Sequence, residues 1–245
     1  MSGFDSLKEC FGEQIENVHA IETGISSDPE MNWRIKELND KSIVSFSDAH
    51  SFWPWRLGRE ATIFKKTESY FELVEQIRKD NFVGTIEVEP AYGKYHWDGH
   101  RLCNFVCSPE KTNELKGICP VCGKPLIIGV DNRVEFLAEN PKNYKPENAK
   151  EFFKVLPLHE IIGLFVGSKP ESPKTWNIYN SFLKEFKNEF EILLEASKEN
   201  MLKKGFDAKL VELILRNREG KIKVKPGYDG VYGEAIVEES QKKLF

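Results

Sequence analysis

Two sets of residues in this chain have the types and spacing to do chemistry. The first is Asp48-Ala49-His50, which closes a short apolar segment, Ser42 to Ser47, read as a β-strand. Residues two apart on extended chain point to the same side, so a carboxylate and an imidazole there can hold a divalent metal together. The second is Cys103-x3-Cys107-x11-Cys119-x2-Cys122, two close thiol pairs of the kind that close a tetrahedral zinc shell. A shell closed by four protein ligands leaves no place for water, so its expected role is structural. The first pair is the looser of the two.

The loop after Asp48 carries the groups that a phosphoester-cleaving site on a nucleic acid needs. Arg56 and Arg59 offer guanidinium donors that match phosphate oxygens in pairs. The bland alternative for them is a surface ion pair with Glu60 or a neighbour. Trp53 and Trp55 flank Pro54, and either stack on bases or pack on the rim of the fold. Glu22 ends an upstream strand and is either a further metal ligand or a hydrogen-bond partner of the loop at Thr23-Gly24. Asp28, just before Pro29, reads as a helix cap rather than a ligand. His96 and His159 carry no assignment, and Cys10 reads as a buried apolar residue of a helix.

Charge adds a third candidate. The chain of 245 residues has a net charge of −4, but Lys198 to Lys225 holds nine Lys/Arg against four Asp/Glu. That window, ending in Lys221, Lys223 and Lys225, is a usable electrostatic footprint for DNA, although a solvated helix face has similar counts. Gly227-Tyr228-Asp229-Gly230-Val231-Tyr232-Gly233 follows as a glycine-spaced turn, with Tyr228 expected to be free to stack.

These groups need elements to hold them. Phe4 to Phe11 reads as a helix, Val18 to Glu22 as a strand, Pro29 to Leu38 as a helix with proline in its first turn, and Ser42 to Ser47 as the next strand. This β-α-β alternation predicts a parallel sheet or barrel with its sites at the carboxyl ends of strands. Thr67 to Lys79 reads as an amphipathic helix with Tyr70, Phe71, Val74 and Ile77 on one side, and Phe82 to Glu89 as a strand ended by Pro90. From Asn148 the pattern reads as helical through Phe152, Phe153, Val155 and Leu156, then Ile161 to Phe165. The longest helix starts at Ser172-Pro173, with a stripe of Trp176, Tyr179, Leu183, Phe186, Phe190, Leu193 and Leu194. A helix over Leu210 to Arg216 and a hairpin over Ile222 to Val237 complete the reading.

With 40% apolar and 30% charged residues the composition is that of a soluble globular protein. No apolar run reaches the roughly 18 residues of a membrane span, and Met1 to Cys10 lacks a signal-peptide core. A cytoplasmic protein with no membrane partner is expected. Clustered cysteines suit a metal site in a reducing compartment better than a disulfide framework.

Taken in order, Glu22-Thr23-Gly24-Ile25-Ser26-Ser27-Asp28-Pro29, Asp48-Ala49-His50, Tyr95 to Arg101, Cys119 to Leu126 and Pro226 to Gly233 resemble the endonuclease Q branch of the PHP (polymerase and histidinol phosphatase) phosphoesterases. The resemblance implies a partial PHP-like β/α barrel over residues 1–90, a zinc module over 91–132, and a mainly helical DNA-binding region over 133–245. It implies Asp48 and His50 as ligands of a catalytic Mg²⁺, Mn²⁺ or Zn²⁺, hydrolysis of DNA 5′ of deaminated bases or abasic sites, and His100 as the rival of Cys107 for the fourth zinc position. PHP enzymes open with an HxH motif, which this chain lacks, so the resemblance is to the C-terminal part only. The expectation is a component inactive alone, with a separately encoded N-terminal half as a possible partner. A zinc-stabilised DNA-binding module without catalysis is the alternative, and a PHP phosphatase of small esters a third.

Overall fold

The computed structural model describes residues 3–236. Helix α1 (Leu7–Phe11) starts later than the sequence suggests, because the Ser6 side chain caps it by accepting from the Glu9 N–H. Cys10 on this short helix is exposed, not buried. Strand β1 (Ala20–Glu22), helix α2 (Pro29–Trp33) and strand β2 (Ser42–Val44) form the expected β-α-β unit, with Glu22 opposite Val44 in parallel pairing. Asp28 is the cap of α2: its Oδ1 accepts from the Met31 N–H at 2.9 Å, while Oδ2 takes the Lys154 ammonium at 3.0 Å.

Strand β3 (Ala61–Ile63), helix α3 (Tyr70–Arg78) and strand β4 (Gly84–Glu87) follow. Tyr70 and Phe71 do not face the core; they are 72% and 77% exposed in the first turn of α3, with their rings edge to face at 5.6 Å. Strands β5 (Asp98–His100) and β6 (Phe105–Cys107) make a small hairpin, followed by α4 (Pro109–Glu114) and α5 (Val130–Leu137).

Strand β7 (Glu151–Lys154) departs from the sequence reading, which made Phe152 and Phe153 helical. It pairs in parallel with β4, whose other edge holds β3 antiparallel. A buried strand with one free edge recruits a short apolar segment whatever its local preference. Gly84 allows the approach, since a Cβ there would collide with the Glu151 carbonyl. The sheet therefore draws on both sides of the boundary expected near residue 132.

The fold is mixed α/β, and no barrel is closed among the described residues. The β1-β2 pair is tied to the β3-β4-β7 sheet through buried polar groups. Thr23 and Ser45 hydroxyls each donate to Glu87 Oε2 at 3.0 Å, and Thr85 donates to Oε1 at 2.6 Å. Burial still raises the Glu87 carboxyl to about 7 against these three donors.

Helices α6 (Leu158–Val166), α7 (Pro173–Glu185), α8 (Lys198–Lys203) and α9 (Ala208–Arg218) cover this sheet and share its core through Ile86, Val155, Ile161 and Ile214. The stripe expected to run on through Leu194 is broken. Phe186 is extended (φ −125°, ψ 154°), and the chain re-enters a π-helical turn at Glu191–Glu195. The helix thus buries Phe182, stacked on Phe206 at 3.7 Å, and leaves Leu183 at the surface. Asn217 of α9 closes the core by bonding both the N–H and the carbonyl of Leu156. Strands β8 (Lys223–Lys225) and β9 (Glu234–Ile236) form the expected terminal hairpin; Val237 lies outside the described residues.

Candidate metal centre and adjoining cleft

The β5-β6 hairpin and the loop at Cys119 bring His100, Cys103, Cys119 and Cys122 together, with one ligand atom of each lying within 4.8 Å of all the others. His100 Nδ1 stands 3.3 Å from Cys122 Sγ. The Cys119 thiol is raised by burial, but amides of the Cys-Pro-x-Cys turn, with Cys122 and His100, more than offset this and bring it down to about 7. Three soft thiols and an imidazole within reach of one point fit a tetrahedral ion such as zinc. Cys107 is outside the group. It is buried, its Sγ is 3.3 Å from the Thr112 hydroxyl, and it packs with Leu115 and Leu126. The fourth member is therefore His100, because β5 and β6 run antiparallel with His100 opposite Phe105, and Cys107 sits at the far end of the ladder opposite Asp98.

Asp48 and His50 lie on one wall of a cleft of about 560 Å³ that is also lined by Glu22, Arg56, Arg59, Glu60, Lys94 and Tyr232. The strand that was to present them stops pairing at Val44, and Asp48 sits in the left-handed region (φ 38°), which aspartate tolerates. His50 Nδ1 donates to the Asp48 carbonyl at 2.7 Å and stands 3.9 Å from its carboxylate. The side chains of Asp48 and His50 are 86% and 85% exposed.

Behind them the cleft is charged and buried. Arg56 is 3.8 Å from Glu160, and the Tyr92 hydroxyl lies near the same carboxylate. Glu160 is raised by burial despite these partners. Glu60 is 3% exposed, and its Oε1 and the Arg59 Nε have no hydrogen-bond partner. Burial raises Glu60 to about 7, Arg59 opposing, and burial together with Arg56 lowers Arg59. So the alternative of an exposed Arg–Glu60 pair gives way to a buried cluster. Glu160 and Lys94 were not singled out from the sequence, where Glu60 figured only as a surface partner of the arginines and Tyr232 only as part of the glycine-spaced turn.

The aromatic expectations divide. Trp55 is core: it is 4% exposed and packs beside His159 and Trp176. Trp53 is half-buried between Phe52 and Trp55, stacked on the latter at 4.8 Å and 15°. His159 is fully buried, with neither ring nitrogen hydrogen-bonded, and burial lowers it to about 4. Tyr228 is not free to stack. It is 8% exposed and lies so close over Gly99 that any Cβ there would strike its ring. The tyrosine of that turn facing the cleft is Tyr232. Lys221 pairs with Glu219 at 2.6 Å, while Lys223 and Lys225 are exposed on β8.

The solved structures that match this architecture decide what it is similar to. The lesion-specific endonuclease PfuEndoQ from Pyrococcus furiosus matches 98% of this chain at a TM-score of 0.85 and 30% identity. An endonuclease Q complex with a 27-mer duplex carrying an abasic lesion at its active site matches 97% at 0.85 and 29% identity. The chain is similar to endonuclease Q along nearly its whole length. In both cases it spans 60% of the solved chain. Residues 157–221 match the MJ0043 C-terminal domain. The uncharacterised protein MJ0043 of Methanocaldococcus jannaschii is 32% identical over 237 residues, which are 94% of this chain and 29% of that protein. The uncharacterised protein YqxK of Bacillus subtilis is 26% identical over 234 residues, 94% of this chain and 55% of that protein. No helix among the described residues is long and apolar enough to cross a membrane.

Proposed function

We propose that this chain is the DNA-engaging part of an endonuclease Q-like repair nuclease, acting on duplex DNA with deaminated bases or abasic sites. The observation that carries the reading is the match, over 97% of the chain, to an endonuclease holding a duplex with an abasic lesion at its active site. Asp48 and His50 would be the chain's share of a catalytic Mg²⁺, Mn²⁺ or Zn²⁺ centre, and Arg56 and Arg59 its phosphate contacts. The centre, when loaded, would supply a metal-activated water at the scissile phosphate and a charge to brace the departing oxygen. The chain's own residues orient the backbone: the arginines donate to phosphate oxygens from a partly buried wall, where each donor counts for more than in water. The four-ligand Cys/His centre would hold a structural zinc.

Among the described residues no third His, Cys, Asp or Glu places a ligand atom close enough to Asp48 and His50 to form a preformed set. That observation favours a second reading, in which the chain is a zinc-stabilised DNA-binding module without catalysis of its own. The separating experiment measures cleavage of uracil-containing, abasic and intact duplexes with Mg²⁺ or Mn²⁺, by the chain alone and after addition of a PHP half carrying HxH. Binding without cleavage alone, and cleavage on reconstitution that Asp48→Asn abolishes, supports the repair-nuclease reading. Absence of binding to any of the three duplexes overturns both readings.

A further inference from the structure

Two cations of the cleft wall meet on one tyrosine. The Arg56 guanidinium and the Lys94 ammonium stand 5.8 and 5.5 Å from the centroid of the Tyr232 ring. Like charges gathered this way repel, and the negative face of an aromatic ring offsets part of that repulsion. Glu160, at 3.8 Å from Arg56, is the near carboxylate partner on the protein side. All three side chains line the cleft that holds Asp48 and His50, and Tyr232 keeps 47% of its surface exposed there. A pair of cations held beside an open cleft suits an anion with several oxygens.

The loop that carries Tyr232 is fixed on both sides. Toward the cleft, the Gly230 N–H donates to the Lys94 carbonyl at 2.9 Å and the Gly233 N–H to the Tyr92 carbonyl at 3.0 Å. Toward the metal centre, the Trp97 N–H donates to the Gly227 carbonyl at 3.0 Å, and the Arg101 N–H to Asp229 Oδ2 at 2.6 Å. Arg101 lies between two members of the metal cluster, His100 and Cys103. Asp229 and Gly230 both have positive φ (42° and 85°), the backbone that a two-residue hairpin turn requires. The turn is therefore short and stiff, with Asp229 at its tip toward the metal module and Tyr232 at its base in the cleft.

We propose that Arg56 and Lys94, spaced by Tyr232, form a grip for a DNA backbone phosphate, and that the metal module sets the position of this grip through the Asp229–Arg101 bond. Tyr232 and Asp229 are positioning residues; the cations touch the phosphate. The inference rests on the nucleic-acid reading of the cleft.

The test titrates the full chain with a duplex carrying one abasic site at several salt concentrations, alongside zinc content and thermal melting. A phosphate contact contributes about 0.9 to the slope of log affinity against log salt. Tyr232→Leu should weaken binding at least several-fold and lower the slope by about one, while Tyr232→Phe, which keeps the ring, stays near wild type. Asp229→Ala should do the same with zinc retained, and Asp229→Asn, which still offers an acceptor oxygen to the Arg101 N–H, should recover binding. Tyr232 is half exposed, so its variants fold, and an unchanged slope in Tyr232→Leu overturns the grip. An unchanged slope in Asp229→Ala overturns the link to the metal module. As a second measure of that link, chelating the metal from wild type should speed hydrogen exchange over residues 227–233, and unaltered exchange there overturns it too. Wild-type chain that binds no duplex overturns the nucleic-acid reading itself, a result distinct from bound duplex with an unaltered slope.

Discussion

Donor atoms of His100, Cys103, Cys119 and Cys122 already lie within 4.8 Å of one another, whereas Asp48 and His50 stand 86% and 85% exposed across an open cleft. Both regions are read as metal-binding, and both touch the loop at residues 227–233. In the first, donor geometry is set by a hairpin and a tight Cys-Pro-x-Cys turn, so an ion gains four ligands for little further ordering. In the second, two ligands on a loose loop bind an ion weakly until other donors arrive. On the proposed reading, the chain gathers the donors of a structural centre and leaves open the site that would meet substrate.

The largest effect that can break this contrast is on the closed centre. Cys119→Ser should remove about one zinc per chain and unfold the region around residues 92–130, because binding energy of the order of 10 kcal/mol is also folding energy in such modules. Elemental analysis with hydrogen exchange over that region reads both. A chain that keeps its fold and has no zinc before substitution would place the cluster among ordinary free cysteines.

A smaller effect separates the fourth ligand from its rival. His100→Ala should lower zinc affinity by at least tenfold, as measured by competition with a chelator. Cys107→Ser should leave affinity unchanged, costing about 1–2 kcal/mol of stability from the buried thiol instead. The reverse result would return Cys107 to the ligand set.

The cleft's own energetics enter with Glu60. Its folded value, raised by burial from 4.5 to about 7, means that the folded state binds the proton more tightly than the unfolded one. Stability from this group is then full below about pH 4.5 and falls as pH rises to about 7. Glu60→Gln should remove that fall, so the variant gains on wild type by about 2–3 kcal/mol between pH 4.5 and pH 8 in urea titrations. His159, lowered to about 4, works the other way, and stability rises with pH from about 4 to 6.5. It is present in both proteins, so their difference isolates Glu60. A difference independent of pH would mean that the carboxyl finds a partner.

Local chemistry was legible in the sequence, and distant packing was not. The Asp28 cap, the β1-α2-β2 unit, the Cys-Pro-x-Cys turn and the terminal hairpin depend on residues a few positions apart. The choice of His100 over Cys107 depends on strand register, which spacing alone leaves open. Phe152 and Phe153 became a strand because β4 offered an edge 67 residues away in sequence, with Thr85 opposite Phe152 and Ile86 opposite Phe153. Tyr228, expected to be free, is packed over Gly99, and Tyr232, given no role from the sequence, is the tyrosine that lines the cleft. Glu87 and Glu160 were invisible, and Glu60 was read only as a surface partner, because a buried carboxylate looks like any other until the fold closes around it.

The smallest effect is the sharpest test of the contrast. Asp48 is nearly fully exposed, and the bond that His50 makes at 2.7 Å is to its backbone carbonyl, which substitution leaves in place. Asparagine adopts the left-handed backbone found here (φ 38°) as readily as aspartate does. Asp48→Asn should therefore change stability by no more than about 0.5 kcal/mol, seen as a melting temperature within a few degrees of wild type. The same substitution should abolish the weak Mn²⁺ binding proposed for the cleft, since it removes the charge and the better ligand of the pair. Zinc content at the Cys/His centre should be unaffected. If Asp48→Asn instead destabilises the chain by more than about 1 kcal/mol, Asp48 is holding the loop together, and the cleft is a structural feature like the centre beside it.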